Sequence, residues 1–331
     1  EGKPIEKIEK KITFTKHPSR LKNYLYDLIL KSLEAYHSKT SVAIKIRKQI
    51  NQIENLYNKA LYDQCASLAK KALKEADKID NQNFKIDIIS WHINALKQLE
   101  KNSSGSTIKN LQSLQHEAIT KLKLEKEFTK LSQAVFDLTK KLGTMYTKEN
   151  ENRLKEIIDN PFLSDYSMAS SFTSKSSYNS IFSGYYSYLD DRHKVNYYTK
   201  QNLLLYEDFP ARKDSDQFNY VTQLNNYALS CSSLRDYEKA DYYFSKMESV
   251  EPNTIQIEVK VFEFIAANRL DLYLRSGQLK KALTTIGHTE EGLKKYGKKV
   301  SELFKTVTYS NLCYLFLAVK EYKKALFYNN L

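Results

Sequence analysis

Glycine and proline are scarce in this 331-residue chain, which carries 8 and 5 of them where average usage would give roughly 23 and 17. A chain so short of turn formers is built from long regular elements, which points to helices. Cysteine is scarce as well. Cys65, Cys231 and Cys313 are odd in number and far apart, which argues against a disulfide framework and fits a reducing compartment, so the expected location is cytoplasmic. The longest apolar run, Tyr314 to Val319, falls far short of a bilayer span, and no membrane segment is expected. The sequence starts at Glu1 and stops at Leu331 inside a helical pattern, so the chain is expected to be incomplete at both ends.

Recognisable catalytic chemistry is missing too. The six histidines form no HExxH and no Cys/His cluster with zinc spacing. GHTEEGLK, residues 287–294, has the GxxxxG half of a phosphate loop, but a leucine precedes Lys294 and no buried strand leads into it. DDRH at 190–193 puts two carboxylates beside an imidazole, yet adjacency does not make a triad, and the reading favoured is a polar turn. The expectation is a non-enzyme with no catalytic residue, no metal and no cofactor.

What the chain does have is charge and a repeat. Of the net charge of +13, more than half sits in residues 1–48, where 12 Lys and Arg face 5 Asp and Glu. Such a segment can meet nucleic acid, acidic protein or anionic lipid, or simply be a solvated face. Further on, ALSCSSLRDYEKADYYFSKMESVEP (228–252) is organised around Ala240. Leu224, Tyr227, Ala228 and Cys231 stand sixteen, thirteen, twelve and nine residues before it, and Phe244 and Met247 stand four and seven after it. Both halves have helical spacing, SLRDY separates them and Pro252 closes the second, so the segment reads as two antiparallel amphipathic helices. The pattern recurs around Ala282, in LDLYLRSGQLKKALTTI, and around Ala325, in NLCYLFLAVKEYKKALFY. Stepping back by the same interval gives Val195, an unclear unit near Glu151, Ile108 and Cys65, whose partners Ala69 and Ala72 keep the small-residue spacing. Fourteen residues before the anchor stands Asn51, Asn94, Asn226, Asn268 or Asn311 in five of the seven units, with Asp137 and Ile181 as exceptions.

This arrangement resembles the tetratricopeptide repeat, in which small residues mark the closest approach of paired helices, an aromatic fills the gap one turn later, and proline ends the unit. The resemblance implies an all-α fold: a right-handed α-α superhelix, a TPR-like solenoid of about seven helical hairpins. The period, near 43 rather than 34 residues, implies longer helices or longer loops. Residues 49–331 are expected to form the solenoid, with an irregular stretch at about 130–196 where the match is poor and NPFLSDYSMASSFTSKSSY is rich in serine. Residues 1–48 are expected to be a basic helical segment or cap, with an unpaired helix over Ser19 to His37.

The leading functional expectation is a protein-protein interaction scaffold that binds a peptide or protein segment on its concave face. The resemblance places Asn51, Asn94, Asn226, Asn268 and Asn311 there, since an amide can pair with the backbone of an extended ligand, together with Arg275 and Tyr314. The same asparagines can equally bridge neighbouring repeats. A second reading is a sensory or regulatory module of a larger signalling or transcription-regulating protein, since repeats with long helices are similar to those of bacterial peptide-sensing regulators. A third is nucleic-acid binding through the basic start and the 25 tyrosines. The cysteines and most tyrosines fall at packing positions, where core roles are expected.

Overall fold

The computed structural model describes residues 18–37, 41–99, 104–142 and 147–331, and among them there is no strand. Helices pack against their neighbours in sequence. α1 (Pro18–His37) comes first, followed by α2 (Val42–Asn58) paired with α3 (Tyr62–Lys78). α4 (Gln82–Gln98) pairs with the first half of α5 (Ser104–Leu142), and α6 (Lys148–Ile158) returns along its second half. α7 (Phe172–Tyr188) pairs with α8 (Arg192–Asp208), and after the short α9 (Ala211–Ser215), α10 (Gln217–Ser233) pairs with α11 (Tyr237–Glu248). α12 (Ile255–Phe264) continues through a π-helical stretch, Ile265–Arg269, into α13 (Leu270–Arg275), which pairs with α14 (Leu279–Tyr296). α15 (Glu302–Ala318) and α16 (Tyr322–Asn329) close the stack. The architecture is an all-α helical-repeat solenoid.

The anchor register of the sequence is the register of the helices. Cys65, Glu151, Val195, Ala240, Ala282 and Ala325 are each the fourth residue of a second helix, and Ile108 is the fifth residue of α5. Ala240 and Ala282 are fully buried and Ala325 nearly so. A Cβ and nothing more stands where two helices meet, so a larger side chain would push them apart.

The turn between paired helices is built the same way five times. The first helix ends when one residue enters the left-handed region: Ala60 (φ 56°), Asp190 (51°), Arg235 (62°), Gly277 (70°) and Lys320 (64°). Each stands five residues before its anchor. The next residue then donates its N–H back into the helix: Leu61 to Leu56 O (3.0 Å), Asp191 to Tyr186 O (3.0 Å), Asp236 to Cys231 O (3.0 Å), Gln278 to Tyr273 O (2.8 Å) and Glu321 to Phe316 O (2.8 Å). This is the long bond of a Schellman cap, which satisfies a carbonyl the helix end would leave orphaned. Glycine occupies one of the five sites; the other side chains are held there at roughly 1–2 kcal/mol each.

The stretch near Glu151 departs from this scheme for a visible reason. Residues 118–142 contain no Gly, Pro or Asn, so nothing ends the helix between the second and third units, and both are served by one 39-residue helix, α5. The serine-rich stretch that follows is ordered by caps. Asn160 and Asp165 cap two 3-10 turns, and Ser171 and Ser174 form a reciprocal capping box at the start of α7.

One contact crosses the stack. Arg212, in α9, donates from Nε to Ile79 O (2.7 Å) and from a terminal nitrogen to Asp80 O (3.3 Å), and its guanidinium lies 4.1 Å from the centre of the Phe172 ring. The Asp80 carboxylate accepts from Phe172 N (2.8 Å), Gln82 Nε2 (2.7 Å) and Lys85 Nζ (3.1 Å). The turn after the first hairpin is thereby tied to the start of the fourth, a contact beyond the nearest-neighbour packing of a simple solenoid. The unpaired helix expected over 19–37 is present as α1, and its side chains at 19–33 are all exposed. The remainder of the basic start, 1–17 and 38–40, lies outside the described residues.

Candidate functional site

The first helices of successive units lie side by side, and between α7, α10 and α13 they leave a groove of about 860 Å³. The α7 wall is Ser180, Ser183, Gly184 and Ser187; the α10 wall includes Gln223, Asn226, Leu229 and Ser230; Arg275 closes the far end. The wall along α7 is low because its side chains are small. Gly184 also makes room on its other side, since a Cβ there would come within 2.9 Å of Val135 Cγ1 on α5.

The floor comes from α8. Thr199 Oγ1 and Ser230 Oγ are 3.0 Å apart, and Asn196 Nδ2 donates to Ser230 Oγ (3.0 Å). Asn202, 3 % exposed, donates from Nδ2 to Ser180 Oγ (3.1 Å) and leaves Oδ1 without a hydrogen-bond partner among the described residues. A buried acceptor left unpaired costs about 1–3 kcal/mol. The rim along the hairpin turns is cationic: Arg192, Arg235 and Arg275 line it, with Asp190 as the carboxylate among them. Arg192 Nε donates to Asp190 Oδ1 (3.1 Å) and Arg275 Nε to Asp271 Oδ2 (2.6 Å). In DDRH itself, Asp190 takes the left-handed turn position and the Asp191 carboxylate caps α8 by accepting from Lys194 N (3.1 Å), while His193 is exposed.

The asparagines named from the register divide into three kinds. Asn226 lines the groove, half-buried, and its amide has no hydrogen-bond partner among the described residues. Asn268 and Asn311 bridge repeats: Asn268 Nδ2 donates to Asn225 Oδ1 (2.7 Å), and Asn311 Nδ2 to Ala267 O (3.0 Å) in the π-helical stretch. In both, the residue fourteen before one anchor reaches the residue fifteen before the previous anchor. Asn51 and Asn94 are exposed on α2 and α4, away from the groove. Arg275 joins Asn226 in the groove, whereas Tyr314, 64 % exposed, borders a separate hollow at the end of the stack with Tyr309, Tyr328 and Leu331.

Asn202, Ser180, Arg192 and Arg235 are among the groove residues that the register did not single out. The neglected signal was the run of small residues at 180, 183, 184 and 187, one face of α7 at helical spacing. The other motifs resolve into packing. Burial pushes the Cys65 and Cys231 thiols up, the direction of an unreactive core cysteine, and Cys313 is half-buried against the cluster that holds Cys231. GHTEEGLK lies within α14, where a Cβ on Gly292 would come within 2.0 Å of Phe262 Cε2. Many tyrosines pack on other rings, as Tyr186 and Tyr198 do at 5.8 Å and 9°. No helix among the described residues is long and apolar enough to cross a membrane. No protein-family model matches this chain, and neither does any curated protein.

Proposed function

We propose that the chain is a non-enzymatic, tetratricopeptide-like interaction scaffold that holds an extended protein or peptide segment in the groove between α7, α10 and α13. The observation that carries this reading is the groove wall on α10, where the half-buried Asn226 presents an open amide between the low serine face of α7 and Arg275. An extended chain presents N–H and C=O groups at regular spacing, so the donor and acceptor of an amide set along the groove suit a peptide backbone whatever its side chains. Asn226 and Arg275 stay in the proposed contact set. Asn268 and Asn311 act in it by fixing the spacing of the first helices.

The reading is tested by screening a fluorescent library of ten-residue peptides against the full chain, then repeating the titration of the binders with Asn226→Tyr, which fills the groove from α10. Loss of binding by at least tenfold, with an unchanged thermal midpoint, is the expected result. Peptides that bind the filled groove as tightly as the native one would remove the groove from the account.

A further inference from the structure

Three guanidinium groups reach the groove from three successive hairpins, and all three sit at the hairpin-turn edge. Arg192 is the first residue of α8, Arg235 is the left-handed cap residue before α11, and Arg275 is the last residue of α13. Asp190 is the one carboxylate in the described lining, and Asp271 reaches Arg275 from outside it. Arg192 and Arg275 are each held through Nε by a neighbouring carboxylate, with 56 % and 65 % of their side chains exposed. That leaves terminal N–H groups of Arg275 open. The Arg235 side chain has no hydrogen-bond or ion-pair partner among the described residues. A guanidinium has five donors in a fixed fork that matches a carboxylate, so an edge of such groups is selective for anionic side chains.

The α10 wall requires something different from the edge. The Asn226 amide, half-buried and open in the groove, offers a donor and an acceptor together, which suits a peptide bond. One ligand that satisfies both is an extended peptide, with its backbone against the Asn226 amide and acidic side chains at the edge. A nucleic acid strand offers the negative charge but needs ring faces on which to stack its bases. Tyr237 is the one aromatic residue in the described lining, and the tyrosines of α7 and α8 stack on one another instead.

We infer that the groove takes an acidic, extended peptide segment, whose carboxylates meet Arg192, Arg235 and Arg275 and whose backbone pairs with the Asn226 amide. This rests on the groove being the ligand site, and the experiment separates the two claims. Four ten-residue fluorescent probes are titrated into the full chain at 0.15 M salt: alternating Asp/Ser, its Asn/Ser isostere, a Lys/Ser counterpart, and a single-stranded oligonucleotide of equal length. The Asp/Ser probe is expected to bind at least tenfold more tightly than the isostere. The exposed double variant R235Q/R275Q is expected to cut that affinity about tenfold, and K298Q/K299Q, which removes the same charge at the turn after α14, to leave it unchanged. Asn226→Tyr abolishes binding.

Equal affinity for the Asp/Ser and Asn/Ser probes, both lost in Asn226→Tyr, would overturn the acidic preference and keep the groove. An equal drop in R235Q/R275Q and K298Q/K299Q would reduce the effect to the net charge of the chain and overturn it as well. Tighter, Arg235-dependent binding of the oligonucleotide would replace the peptide with nucleic acid. Failure of every probe would overturn both claims.

Discussion

From Phe172 to Tyr328 the main buried cluster is continuous through the last four hairpins, whereas the earlier hairpins divide theirs among smaller clusters around Ile53, Ile89 and Phe128. The two regions differ at their turns more than in composition. In the later one every first helix ends at a left-handed residue with the same returning hydrogen bond, so the two helices of each hairpin are joined in the same way. In the earlier one the break between the second and third units is missing, and α5 runs straight through both. A solenoid is regular where its helices are stopped regularly. Where one is not stopped, contacts skip units, and here the first hairpin meets the fourth through Asp80 and Arg212.

If this contrast is right, the two regions fail differently when broken. Phe244→Ala removes a fully buried ring from the later cluster and is expected to cost about 3–5 kcal/mol, while Tyr242→Ala, at a 60 % exposed side chain, leaves the midpoint nearly unchanged in denaturant melts. Arg212→Ala strands the carbonyls of residues 79 and 80 and leaves the Asp216 carboxylate without its cation, at a cost of about 3 kcal/mol. Its loss of amide protection is expected to concentrate in residues 79–85, with α15 and α16 unaffected.

A smaller effect separates two glycines of one helix. Gly292→Ala places a Cβ against the Phe262 ring and is expected to destabilise by about 2 kcal/mol. Gly287→Ala, which meets open space, raises helix propensity and is expected to stabilise by up to about 1 kcal/mol. Smaller still are the turns. Arg235→Gly and Lys320→Gly relieve a left-handed conformation and should each stabilise by about 1 kcal/mol, with Gly277→Ala moving the other way by a similar amount.

The last of these concerns pH. Glu125, on α5 beneath the crossing contact, is 7 % exposed with Oε1 unpaired, and burial pushes its carboxyl up while Asp80 adds to the rise and Arg212 and the Ser171 hydroxyl oppose it. A carboxyl whose folded pKa lies above its unfolded value binds its proton more tightly in the folded state. Its contribution is therefore full below the unfolded value and is lost as pH rises through the folded one. Glu125→Gln is expected to flatten this slope between the ordinary glutamate value and neutrality, and to raise stability near pH 7 by about 1 kcal/mol. An unaltered pH profile would show that the carboxyl reaches solvent.

Much of the later region was legible in the sequence, because packing at a helix crossing restricts residue type and so leaves a period. Ala240, Ala282, Ala325 and Phe244 are all where that period puts them. Gly277 marked its own turn, but Arg235 and Lys320 do the same work without a residue type that announces it. The register placed Asn226 and Arg275 in one groove. It also gave Asn268 and Asn311 two possible roles, and side-chain direction on the helix decides for bridging. The crossing contact had no local signal, since Asp80 and Arg212 are 132 residues apart and neither is unusual in its own surroundings.

Amide hydrogen exchange with and without saturating Asp/Ser peptide tests the central claim most directly, because it reports where on the stack the ligand lies. Added protection is expected at Ser180–Ser187, at Gln223–Ser233 and around Arg275, with the outer helices α11 and α14 unchanged. Protection confined to those outer helices or to the final hairpin, or no change anywhere, would contradict the account.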